Sequence, residues 1–132
     1  MNGTRPLIML VDDDPELRQS MVDLLEDEGY RTVTAASGRE ALTLLRTREL
    51  PNLILLDLMM PDLNGWQFCE MQQRDPSLAG IPVLVVTAAR TLSQTPAGVD
   101  VLLKPFSLEE VLEKVQRLTG KGPVPSSPAS PA

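Results

Sequence analysis

The residues of this chain that could do chemistry together are few: Asp12-Asp13-Asp14, then Asp57, Thr87 and Lys104. Each follows or ends a short run rich in Val, Ile and Leu. Asp57 comes directly after Leu53-Ile54-Leu55-Leu56, which puts a carboxylate at the mouth of a buried strand rather than on a solvated face. One acid suffices to cap the helix that follows the triplet, and Asp14, before Pro15, suits that role. The remaining acids repel one another, and bringing Asp57 beside them is costly unless a cation offsets the charge. Hard oxygen ligands with no His or Cys nearby point to Mg²⁺, six-coordinate and partly hydrated. Carboxylates, Mg²⁺ and a Lys make a set that handles phosphoryl groups: metal and ammonium neutralise the oxygens while a carboxylate attacks in line. A lone Thr or Lys carries no such message. The conjunction of all five at strand ends does.

The elements that must position these residues are legible from patterning. The strands predicted are Pro6–Val11, Arg31–Ala35, Leu53–Asp57, Pro82–Thr87 and Val101–Lys104; the runs Leu7–Val11, Leu53–Leu56 and Val83–Val86 within them are apolar without alternation, as strands covered on both faces are. Between them lie helical stripes. Pro15–Glu28 carries Leu17, Met21, Leu24 and Leu25 and ends at Gly29. Ser37 with Glu40 is a capping-box signature opening a helix with Ala41, Leu42 and Leu45 inward. A third helix runs from Gly65 to about Arg74 and stops before Pro76. Ser107 with Glu110 caps a last one carrying Leu108, Val111, Leu112, Val115 and Leu118. Strands alternating with helices imply right-handed crossovers and an open α/β sheet, whose ligands bind beyond the carboxyl ends of the strands at a topological switch point. The stretch Ala88–Asp100 reads as a short or irregular crossover helix. Residues 120–132, rich in Pro and Ser, cannot bury a face and read as a disordered tail.

Composition narrows the partners. With 18 acidic against 12 basic residues the net charge is −6, which disfavours phosphate-neutralising contact with nucleic acid. Four aromatics (Tyr30, Trp66, Phe68, Phe106) are too few for a base-stacking platform. Absence of histidine removes His-based acid–base work. The single Cys69 excludes an internal disulfide and reads as a helix-packing residue in a reducing compartment. No apolar run approaches the length of a membrane span. The chain therefore reads as cytoplasmic. Met9, Met21, Met59, Met60 and Met71 read as core or loop packing, and Trp66 as a helix-start packing residue.

These motifs resemble the receiver domain of bacterial two-component response regulators. The resemblance rests on Val11-Asp12-Asp13-Asp14, on Asp57-Leu-Met-Met-Pro61 continuing to Gly65, on Val86-Thr87-Ala88 and on Lys104-Pro105-Phe106. It covers roughly residues 6–119 and implies a stand-alone receiver domain over residues 1–119. The implied fold is flavodoxin-like: a five-stranded parallel sheet of order 2-1-3-4-5 with helices on both faces. Asp57 would be the phosphoacceptor, supplied by a sensor histidine kinase or a histidine phosphotransfer protein. Asp13 and Asp57 would ligate Mg²⁺ directly, Asp12 through water, and the backbone carbonyl of Met59 would complete the protein ligands. Lys104 would pair with phosphoryl oxygens, Thr87 would hydrogen-bond them, and the Lys104–Pro105 peptide would be cis.

The resemblance also carries departures. Many receivers place an aromatic three residues before the lysine, where this chain has Val101. The stretch from Thr87 to Lys104 is shorter than the common pattern, on a face that often mediates dimerisation. A monomer or weak dimer is expected. Met59 and Ala89, two residues beyond Asp57 and Thr87, offer no acid or amide to orient a hydrolytic water, so the acyl phosphate should hydrolyse slowly. Expected partners are the kinase and an unidentified downstream protein, with no direct nucleic-acid or membrane contact. The chain is then a switch and not an enzyme, catalysing only its own phosphorylation and dephosphorylation. The alternatives are a docking module that never accepts phosphate, and a phosphatase using Asp57 as nucleophile. Met59 stands where the phosphatase would need a second acid.

Overall fold

The computed structural model describes residues 5–47, 49–58, 60, 64–88 and 99–120. The elements run β1 (Leu7–Val11), α1 (Pro15–Asp27), β2 (Arg31–Ala35), α2 (Gly38–Thr47), β3 (Leu53–Asp57), α3 (Gly65–Arg74), β4 (Val83–Ala88), β5 (Asp100–Lys104) and α4 (Leu108–Thr119). All strand pairs are parallel and the order is β2-β1-β3-β4-β5, as expected. The crossover between β4 and β5 and the Pro/Ser-rich stretch from 121 lie outside the described residues.

Alternation along the strands sorts their side chains into two layers. Met9, Val11, Ile54, Leu56, Val83 and Val85 pack on α2 and α3, through Ala41, Leu42, Leu45, Phe68 and Cys69. Ile8, Leu10, Leu53, Leu55, Leu84, Val86 and Leu102 pack on α1 and α4, through Met21, Leu25, Val111 and Val115. Covering both faces is why β1 and β3 are buried along their whole length. Trp66 packs against the first layer, as expected of a helix-start residue.

Boundaries differ from the sequence expectation where proline lacks an N–H. Pro6 and Pro82 precede β1 and β4, contributing carbonyls that accept from Arg31 and Ile54. Two side chains expected to face inward do not. Leu108 is 60% exposed because it sits in the first turn of α4, past the cover of the sheet, sharing a shallow groove with Leu24 of α1. Met71 is also exposed, in an open groove between α3 and α2 lined by Arg39, Thr43 and Arg46.

The helices start where side chains satisfy their first N–H groups. Asp14 Oδ1 accepts from Glu16 and Leu17. Ser37 Oγ accepts from the Glu40 N–H, while the Glu40 carboxylate reaches back to the Ala36 N–H. Asn64 with Gln67 and Ser107 with Glu110 form complete capping boxes. Gly120, at φ 77°, ends α4 in the left-handed conformation.

One buried polar side chain fixes the entry to β4. Gln72 is wholly buried, and its amide donates to the carbonyls of Leu78 at 2.6 Å and Ile81 at 3.1 Å. That ties α3 to the turn leading into β4, the strand that carries Thr87.

Candidate functional site

The strand order reverses between β1 and β3, so the crevice beyond their carboxyl ends is the place for a ligand. The register sets the acids there. Val11 pairs with Leu56, so the next residues, Asp12 and Asp57, emerge side by side. Asp57 in turn pairs with Val86, the residue before Thr87, and Ala88 pairs with Lys104. All five residues singled out from sequence thus stand on one edge of the sheet.

Three of them converge tightly. One carboxylate oxygen each from Asp12, Asp13 and Asp57 lie within 4.8 Å of one another. Burial is graded: Asp57 is 7% exposed, Thr87 1%, Asp12 intermediate, and Asp13 and Lys104 exposed. Like charges this close repel one another, most strongly where burial removes the screening of water, at Asp57, and least at the exposed Asp13. An all-oxygen set carrying such charge suits a hard divalent cation such as Mg²⁺.

The electrostatics of Asp12 register its neighbours. Burial pushes its carboxyl above the usual carboxylate range, and the Asp14 N–H, donating to Oδ1 at 2.9 Å, opposes this. The charges of Asp57 and Asp13 push it further up, whereas the Lys104 ammonium pulls it down. Lys104 therefore acts on the same acidic crevice. The Lys104–Pro105 peptide is cis, as the resemblance implied. The Met59 carbonyl and Ala89 lie outside the described residues.

Several contributors escaped sequence reasoning. Arg18 Nη1 donates to the backbone carbonyl of Asp12 at 2.6 Å. Its spacing was the available signal, since a side chain one turn into a helix points back toward the N-terminus. Beneath the acids a cavity of about 20 Å³, enough for one water, is lined by Asp12, Asp57, Arg18, Met21 and Phe106 among others. The sequence marks Gly65 as a helix start and a motif residue, without the close approach that requires a glycine. A Cβ there would lie 2.6 Å from Leu58 Cα and 3.1 Å from the Asp57 carbonyl, so glycine is what allows α3 to start against the end of β3.

Comparison with known proteins agrees with this geometry. A family model described as the response regulator receiver domain matches residues 8–116. The DNA-binding response regulator MtrA of Mycolicibacterium smegmatis is 34% identical over 121 residues, covering 88% of this chain and 51% of that protein. The response regulator MprA of Mycolicibacterium vanbaalenii is 39% identical over 116 residues, covering 84% and 49%. The chain spans about half the length of these curated relatives. Among solved structures, a response regulator from Chloroflexus aurantiacus superposes with a TM-score of 0.82 at 28% identity, covering 89% of this chain and all of that one. The chemotaxis protein CheY4 of Vibrio cholerae gives 0.78 at 30%, covering 87% and 99%.

Proposed function

This chain belongs to the response regulator receiver domains, and we propose that it is a phosphorylation-activated switch whose phosphoacceptor is Asp57. The observation that carries the reading is the convergence of Asp12, Asp13 and Asp57 where the strand order reverses, with Lys104 acting on the same crevice. A docking module that never accepts phosphate has no use for a crowded acid cluster.

In this reading an Asp57 carboxylate oxygen attacks the phosphorus of a phosphohistidine on a sensor kinase or phosphotransfer protein. An O–P bond forms as the N–P bond breaks, and the imidazole nitrogen keeps the electron pair. Asp12, Asp13, Asp57 and the Met59 carbonyl would hold Mg²⁺, which when bound neutralises phosphoryl oxygens and thereby favours attack by an anion. Lys104 supplies a second positive charge. Burial of Asp57 keeps competing water away from the acyl phosphate.

The product carries about 1.5 to 2 additional negative charges and three acceptor oxygens at one point. Lys104 would offset part of that charge, and the acids at the site could hold a cation that offsets more. The signal that remains is the hydrogen bond offered to the Thr87 hydroxyl near the end of β4, which biases a two-state surface. Output is then a changed protein-binding surface. The acidic balance supports protein partners for this chain rather than direct contact with nucleic acid. A cytoplasmic setting accords with a kinase donor, and no helix among the described residues is long and apolar enough to cross a membrane.

The test is incubation with Mg²⁺ and acetyl phosphate, followed by mass spectrometry of the intact chain. A base-labile phosphoryl adduct is expected, and Asp57→Ala should lack it. No adduct from acetyl phosphate or from a purified histidine kinase would overturn the reading and favour the docking module.

A further inference from the structure

We propose that Arg18 is a positioning residue for the metal site: it holds the β1–α1 turn in the shape that lets Asp12 and Asp13 share one cation with Asp57. The inference rests on the switch reading above. Three successive aspartates face a fourth, and repulsion alone would splay the turn, so something must hold it closed before a cation arrives.

Asp12 is held at three points. Its N–H donates to the Ala35 carbonyl at 3.1 Å, prolonging the β1–β2 ladder. Its Oδ1 accepts from the Asp14 N–H at 2.9 Å. Its carbonyl accepts from Arg18 Nη1 at 2.6 Å, the shortest of the three. The first two lie within the turn or the sheet edge. Only the third reaches from α1, which is itself fixed by the Asp14 cap and by Met21 and Leu25 in the core. A charge-assisted bond of this kind is roughly twice as strong as a neutral one. It is also half-sheltered, with the Arg18 stem lining the small cavity beside Met21 and Phe106.

Arg18 acts here through hydrogen-bond geometry. The guanidinium engages the far side of the same residue, the peptide carbonyl, and orients the carboxylate through the backbone. Groups that orient a metal ligand in this way typically contribute 10- to 100-fold to metal affinity.

The experiment is isothermal titration calorimetry of Mg²⁺ into the wild-type chain, Arg18→Met and Arg18→Lys. Thermal unfolding without Mg²⁺ is recorded alongside. Met keeps the apolar stem and removes every donor, whereas Lys keeps the stem and one charged donor. Arg18→Met should bind Mg²⁺ about tenfold more weakly while its metal-free unfolding stays cooperative and above the temperature of the titration. Arg18→Lys should recover most of that loss, within about threefold of wild type. Equal affinity in all three chains would overturn the inference alone. A wild-type chain that binds no Mg²⁺ would overturn the switch reading and this inference with it. Should Arg18→Met fail to fold, proton exchange at the Arg18 guanidinium decides the matter in the native chain. It should be about tenfold slower than at the exposed Arg5, and equal rates would overturn the anchoring.

Discussion

Gly65 at the start of α3 donates its N–H to the Leu58 carbonyl at 3.1 Å, and a Cβ added to it would stand 2.6 Å from Leu58 Cα. The helix is thereby held against the chain immediately after Asp57. Gly65→Ala forces backbone apart from backbone, a contact no rotamer change relieves. It should destabilise the chain by about 1–3 kcal/mol and slow phosphorylation of Asp57 at saturating acetyl phosphate. Urea denaturation and adduct formation measured on the same preparation check both.

The second expectation concerns the metal. Three carboxylates within 4.8 Å make the site a source of strain without a cation and a source of stability with one. Mg²⁺ at a hundred times its dissociation constant should add about 2.7 kcal/mol to unfolding stability, and EDTA should remove it. Asp13→Asn, which deletes an exposed charge from the cluster, should raise metal-free stability slightly and abolish most of the Mg²⁺ gain. Paired melts with EDTA and with Mg²⁺ read both.

Cys69 gives a third. It is 4% exposed, and burial pushes its thiol up to about 11, so the folded chain holds its proton over a range where the unfolded chain has lost it. More protons bound when folded means that stability declines with rising pH. The thiol's contribution is intact below about 9 and lost as pH climbs toward 11, on the order of 3 kcal/mol in all. Cys69→Ala should flatten that decline in denaturation curves between pH 8 and 10.5. In the native chain at pH 8, a thiol reagent should label Cys69 far more slowly than in denaturant.

A fourth follows from Met59 and Ala89. By resemblance, these positions flank the path of the hydrolytic water, and neither side chain can orient it. The phosphorylated chain should therefore lose phosphate slowly, and Met59→Asn should shorten its lifetime. A phosphate-release time course checks this, with a wild-type rate matching the fastest receivers as the contrary result.

How much of this was legible in the residues depends on how local the cause was. The strands and helices announced themselves because apolar runs and caps are local signals: Asp14, Ser107 and Glu110 act within a turn of their own position. The five site residues were legible for a related reason, since each sits at the end of a strand and parallel strands end on the same edge. The order of those strands came from the resemblance and not from patterning. Causes lying across the fold stayed hidden. Gln72 reads as one more polar residue of α3 and is buried only because two carbonyls from residues 78 and 81 meet it. Leu108 reads as core and is not, since the sheet stops short of it. Arg18 reads as a solvated charge until the turn folds back beneath it.

The Gln72 clamp also ranks the connections of this fold by their tolerance for engineering. Between α3 and β4 the turn closes through Asp75, Leu78 and Ile81, and its carbonyls are the partners of a side chain that has no water to fall back on. An inserted residue there would strand the amide inside the protein. Reporter insertions and new termini therefore belong elsewhere, and the length of this one connection is as much a part of the fold's specification as the residues of the site.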